Sequence, residues 1–130
     1  MDVIEVASQR RRQLVDVTSF VQEAVAASGI VDGLCHVAVP HTTAAVLLNE
    51  NADPAVGEDI LAALGAMLPH VAWRHSEGNS DAHVLSTLVG HSVAVPINAA
   101  ELALGRWQAI YLLDLDGPRR RELWITCVRA

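Results

Sequence analysis

The chain has 130 residues and a mass of 13.9 kDa, so residues 1–130 read as one domain. Apolar residues make up 52% and mean hydropathy is +0.30, which excludes a disordered chain and hints at surface hidden in an oligomer. Fifteen acidic residues against nine basic ones leave a net charge of −6, which argues against nucleic-acid partners, whose phosphates are held by Lys and Arg.

Val3 to Ser8 and Arg12 to Val17 alternate as two strands around a turn at Gln9-Arg10-Arg11. From Ser19 to Ser28 the period becomes helical. Phe20, Val21, Ala24 and Val25 share a face, Ser19 with Gln22 forms a capping box, and Gly29 is the stop. Leu34 to Pro40 and Thr43 to Leu48 are strands on either side of His41-Thr42. Asn49-Glu50-Asn51-Ala52-Asp53 reads as a polar loop. Asp53 then caps a helix opened by Pro54, with Ile60, Leu61, Leu64, Met67 and Leu68 as its buried stripe and Pro69 as its end. Residues 69–78 are irregular. A helix runs from Asn79 or Ser80 to Val89 and stops at Gly90. Four strands follow, Ser92 to Ile97, Glu101 to Leu104, Trp107 to Leu115 and Glu122 to Val128, the last two joined by a turn at Asp116-Gly117-Pro118.

This order predicts an α+β domain, a mostly antiparallel sheet with helices on one face. Ile110, Leu112 and Leu123 alternate with Tyr111, Leu113 and Trp124. Both faces of the sheet are then apolar, and the second is expected to be covered by another subunit. Cys35 and Cys127 lie in apolar strand-like runs without CxxC spacing and read as two reduced, buried thiols of a cytoplasmic protein in preference to a disulfide framework. The first residues lack the basic and apolar regions of a signal peptide, and no apolar run approaches ~18 residues, so no membrane partner is expected.

All nine basic residues are arginine. Schiff-base and P-loop mechanisms, which need lysine, are excluded, and a phosphate held by charge must rest on Arg or on a metal. Among six histidines, His41, His75 and His83 fall at element edges. Three neutral imidazoles with an open position suit catalytic zinc, although their spacing matches no zinc motif and a structural histidine is the commoner fate of any one of them. His36, His70 and His91 read as surface or edge residues. Glu77-Gly78-Asn79-Ser80-Asp81 is explained as a helix start, whose free amides also suit an anion. Glu77 there is a candidate general base or metal-linked carboxylate. Capping by Asp53 leaves Asn49, Glu50 and Asn51 as surplus polarity after a strand. Arg119-Arg120-Arg121 reads as a solvated hairpin tip, and in a lysine-free chain also as an anion site. Gln108 alternates with Trp107, so it points toward a pocket if Trp107 packs in the core or an interface.

Together His41-Thr42-Thr43-Ala44-Ala45, Asn49 to Pro54, Glu77 to His83, Gly105-Arg106-Trp107-Gln108 and Asp116 to Arg121 resemble the YjbQ family, some members of which are labelled secondary thiamine-phosphate synthase. The resemblance runs in order along nearly the whole chain. Thr43 stands where the family often has Ser, Ser80 where it has Met, and Arg106-Trp107-Gln108-Ala109 where it has Thr-Trp-Gln-Gly. It implies a homotrimer with pockets near the subunit boundaries. It also implies a polar pocket of His41, Asn49, Asn51, Asp53, His75, Glu77, Asn79, Asp81 and His83, a divalent metal such as zinc, and weak thiamine-phosphate synthase activity.

Two functions are therefore expected. One is a metal-assisted enzyme acting on a small phosphorylated substrate. Its zinc would sit on His41, His75 and His83, with Mg²⁺ possible alongside a diphosphate. Glu77, Asp81, Asn49 and Asn51 would be catalytic, and Asn79, Asp53, Gln108 and Arg119 would hold the substrate. The other is a trimeric small-ligand or metal-binding protein without catalysis, favoured because Thr42, Thr43, Ser76 and Ser80 lie in no nucleophile elbow or triad.

Overall fold

Strand β1 (Asp2–Ala7) and strand β2 (Gln13–Asp16) are neighbours in sequence but belong to different sheets. In the computed structural model, which describes residues 1–130, the order continues with α1 (Thr18–Ser28), β3 (Gly33–Ala38), β4 (Ala44–Glu50), α2 (Pro54–Ala66) and α3 (Ser80–Val89). Strands β5 (Ser92–Asn98), β6 (Glu101–Leu102), β7 (Gln108–Asp114) and β8 (Arg120–Arg129) complete it. The larger sheet has the order β1-β8-β3-β5-β6 and the smaller β2-β7-β4, with every pair antiparallel.

The two sheets share one core. Val37, Leu123 and Ile125 of the larger cluster with Val46, Ile110 and Leu112 of the smaller and with Val21 and Val25 of α1, all essentially inaccessible to water. Each such side chain contributes roughly 1.5–3 kcal/mol. The alternating residues Ala45 and Leu113 point to the other side of the smaller sheet, where Ala82 and Leu85 of α3 cover them and Leu61 and Leu64 of α2 pack at the margin. The expected single sheet is therefore two. Strands β7 and β8 are not a hairpin, so Leu113 and Trp124 share no face, and helices of the same chain cover the face bearing Leu113.

The connections β1–β2, β3–β4 and β7–β8 all cross between the sheets, and all at one end, as the pairings Ala7 with Arg120, Ala38 with Trp124 and Ala44 with Asp114 require. Gly117 is obligatory in the last crossing. A Cβ there would collide with the Arg10 carbonyl oxygen and the Ser8 hydroxyl.

Several local expectations shift. Helix α1 starts at Thr18 instead of Ser19, because Asp16 Oδ1 accepts from both the Thr18 amide and hydroxyl. Gln22 is not a capping residue; it clamps the β5–β6 turn by donating to Ala100 O and accepting from Leu102 N. Strand β4 runs through Glu50, so Asn49 and Glu50 end a strand and are not loop. Asp53 caps α2 as expected, accepting from Ala55 N, yet no residue of that helix is fully buried and Met67 is 68% exposed. That helix lies across the margin of the smaller sheet, too far out for its apolar stripe to enter the core.

Candidate functional site

The sheet-crossing end is held by a buried charge pair. Arg121 Nη2 donates to Asp114 Oδ1 at 2.8 Å, Nε donates to Oδ2 at 3.1 Å, and both side chains are almost fully inaccessible. Arg121 Nη2 also donates to the Thr43 carbonyl and hydroxyl, and Ser8 Oγ donates to Asp114 Oδ2 at 2.6 Å. One cation and one anion thus fasten all three crossings. Arg121 is no solvated tip residue: the sheet change carries it inward, while Arg120 stays outside.

This frame positions His41. The Glu122 amide donates to His41 Nε2 at 2.8 Å, so the lone pair lies on Nε2 and the neutral ring carries its proton on Nδ1. Burial, and then the nearby Arg121 charge, hold its pKa below the ordinary 6.5; Glu122 and Asp114 oppose this and Arg119 reinforces it. His41 lines a cavity of about 470 Å³ together with Thr42, His83, Ser86, Thr87, Gly90 and His91. The lining holds no apolar side chain and no carboxylate. His83, Ser86, Thr87 and Gly90 follow the i, i+3, i+4, i+7 spacing of one face of α3. Ser86 Oγ donates to Ala44 O and Thr87 Oγ1 to His83 O. His75 stands against His83, with ring centroids 5.4 Å apart. His91 belongs to this cavity although its sequence position reads as an edge. The helical spacing ending at Gly90 was the signal for that face, and His91 is the next residue.

The residues of one chain do not fit the expected zinc site. No group of three His, Cys, Asp or Glu side chains is arranged to hold an ion. The one lone pair of His41 that zinc would need is already engaged by the Glu122 amide.

Other expected site residues lie at this end but are spoken for. Asp81 bonds Arg11 and Arg12, at 3.0 and 2.7 Å. Burial works against its ionisation, but the Arg12 hydrogen bond, the Ala82 amide and the charges of both arginines outweigh it and keep its pKa below the usual carboxylate value. Asn79 occupies the N-cap of α3 without capping it, because its Nδ2 donates to Asp116 Oδ2 at 2.9 Å. Arg119 bonds the same carboxylate at 3.1 Å and the Asp116 carbonyl, so its charge is matched within the turn. Glu77 is exposed.

Asn49, Asn51, Asp53 and Gln108 are elsewhere. Strand β4 runs from Ala44, beside Asp114, to Glu50, opposite Gln108. Six residue steps separate these ends by roughly 20 Å. Asn51 Nδ2 reaches Asp16 Oδ2 at 3.4 Å, and Asn49 Oδ1 accepts from Glu50 N. Gln108 does not extend into a pocket; its Oε1 accepts from Gly105 N at 2.8 Å. Asn51 and Asp53 line a second cleft of about 230 Å³ with Arg10, Glu50, Glu58 and Tyr111, whose hydroxyl donates to Glu50 O. The expected pocket is thus divided between two ends of one chain.

The sequence profile of the UPF0047 protein YjbQ-like family matches residues 2–130. The chain belongs to the YjbQ family. A UPF0047 protein of Methanocaldococcus jannaschii is 42% identical over 125 residues, covering 95% of this chain and 91% of that protein. YugU of Bacillus subtilis is 38% identical over 127 residues, covering 96% of each. The crystal structure of an uncharacterised YjbQ-family protein from Clostridium acetobutylicum superposes with a TM-score of 0.95 at 40% identity, covering 98% of this chain and all of that one. A YjbQ-like protein of unknown function from Sulfolobus solfataricus gives 0.93 at 35% identity, covering 99% and 96%. The α+β architecture of curled antiparallel sheets with three helices is thus that of the YjbQ family. No helix of this member is long and apolar enough to cross a membrane.

Proposed function

We propose that this YjbQ-family chain acts on a small phosphorylated compound, held by its phosphoryl group in the cavity of His41, His83 and His91. The observation that carries this reading is the wholly polar lining without a carboxylate. No lining side chain is anionic, and His41 Nδ1–H, the Thr42 hydroxyl and two further imidazoles supply donors. Imidazoles also suit proton transfer to a leaving oxygen. No step is assigned to zinc, since one chain does not assemble its ligands.

The polar set at the far end, Asn49, Asn51 and Asp53, is exposed, its side-chain bonds confined to the Asp53 cap, the Glu50 amide and Asp16. In a homotrimer these groups of one protomer would complete the histidine cavity of its neighbour. The exposed apolar side chains on the larger sheet support such self-association. Thiamine-phosphate formation is the candidate reaction, joining a pyrimidine methyl diphosphate to a thiazole phosphate with release of pyrophosphate. A second reading, a binding protein without chemistry, is favoured by the engaged hydroxyls: Ser86 and Thr87 already donate to backbone carbonyls, leaving no activated nucleophile.

The test is titration of inorganic phosphate and pyrophosphate, with and without Mg²⁺, followed by the imidazole resonances. Saturable shifts of His41, His83 and His91, weakened about tenfold or more by His83→Ala, are expected. Imidazoles that do not respond to phosphate would overturn the proposal. Intact phosphate binding with no pyrophosphate release from the thiamine precursors would remove that candidate reaction and favour the second reading.

A further inference from the structure

The two cysteines of the chain face each other. Cys35 on β3 and Cys127 on β8 are directly opposite in register. The type of pairing follows from the flanking bonds. Ala130 N donates to Asp32 O on the β8 side, and Val39 N donates to His91 O on the β5 side. The backbone groups of a strand point alternately left and right, so the even-numbered residues of this stretch bond β8 and the odd-numbered ones bond β5. Cys35 therefore sits in a non-hydrogen-bonded pair with Cys127. In such pairs the Cα atoms lie about 4.5 Å apart and the side chains approach most closely. That separation falls at the lower end of what a disulfide spans.

Both side chains point to the inner face of the larger sheet. Cys35 is fully buried in the core, and Cys127 is partly exposed at its margin. We infer that Cys35 and Cys127 form a reversible two-electron redox site, a dithiol that closes to a cross-strand disulfide under peroxide or a disulfide oxidant. The unequal burial sets the order of events. Burial and the neighbouring Cys127 push the Cys35 thiol up to about 12, so Cys127 is the attacking sulfur. Its thiolate takes the terminal oxygen of hydrogen peroxide, forming a sulfenic acid and releasing one water after proton uptake. Cys35 then attacks the Cys127 sulfur, giving up its proton, and a second water leaves with the oxygen. Two thiols and one peroxide yield one disulfide and two waters. Because the strands are already paired, closure demands only side-chain rotation, and it links the larger sheet across β3 and β8 without disturbing the histidine cavity at the other end of those strands.

The test uses the full-length folded protein, treated with hydrogen peroxide, then alkylated and digested after arginine. The expected result is a mass loss of two hydrogens per chain and residues 13–74 joined to 122–129, both reversed by dithiothreitol. A higher melting temperature than the reduced form and no covalent dimer on a non-reducing gel should accompany it. Cys127→Ser should leave Cys35 unreacted under the same conditions, and Cys35→Ala should divert Cys127 to sulfinic acid or covalent dimers. Wild-type protein giving only sulfinic acid or interchain bonds, or thiols that react only after unfolding, would overturn the inference.

Discussion

At the level of single residues, the Asp114–Arg121 pair is the most consequential contact in the molecule. Its value lies less in net attraction than in what remains when half is removed. A lone charge at that site would keep only neutral hydrogen-bond partners, with neither water nor an opposite charge to balance it. Arg121→Met is expected to cost about 3–5 kcal/mol in urea unfolding, and Asp114→Leu combined with it distinctly less than the two single changes added. Burial alone would raise the Asp114 pKa, but hydrogen bonds from Arg121, Ser8 and the Asp116 amide, with the Arg121 charge, hold it below 3.8. Its contribution is therefore complete above that value and fades as pH falls through the folded-state pKa. His41 acts in a higher window. Its folded pKa lies below 6.5, so the unfolded chain binds more protons there, and stability declines as pH drops from 6.5 toward the folded value. Replacing it by His41→Gln, whose amide oxygen can still accept from Glu122, should flatten that part of a stability–pH curve measured by denaturant titration.

At the level of elements, α3 joins packing to the site. Its Leu85 and Ala82 are fully buried against Ala45 and Leu113, while His83 and Thr87 line the cavity. Leu85→Ala should lower stability by about 2–5 kcal/mol and loosen the cavity, read as faster amide exchange along residues 80–89. The β5–β6 turn makes the opposite case. Ala99 and Ala100 both have positive φ, 52° and 64°, a geometry that two-residue hairpins usually give to Asn or Gly. Ala100 N bonding Val31 O and the Gln22 clamp hold them there. Ala99→Gly should raise stability by about 0.5–1 kcal/mol in thermal unfolding, because relief of the left-handed strain exceeds the added chain entropy.

For the whole molecule, one patch of exposed apolar surface lies on the outside of the larger sheet. Val3 pairs with Trp124 and Leu34 with Val128, all four exposed on one face. An exposed apolar patch of this kind is a natural surface for self-association. In the proposed trimer, light scattering gives three times the 13.9 kDa chain mass. Trp124→Arg should then give a folded monomer and, if phosphate binding needs the neighbour's polar end, weaken that binding as well.

Element identity and order were legible in the sequence because period, caps and breakers act over a few residues. Asp53-Pro54 opens α2, Gly29 and Gly90 close their helices, and strands such as β3 and β5 alternate between buried and exposed residues. The five motifs likewise carried the family. Long-range placement was not legible. A turn such as Asp116-Gly117-Pro118 reads the same whether it returns a strand to its own sheet or carries it to another, and only packing of both sheets around one core decides between them. That decision buried Arg121, brought His91 beside His41 and His83, and set Cys35 opposite Cys127. It also left Asn49, Asn51 and Asp53 roughly 20 Å from the histidines, the length of the strand that separates them.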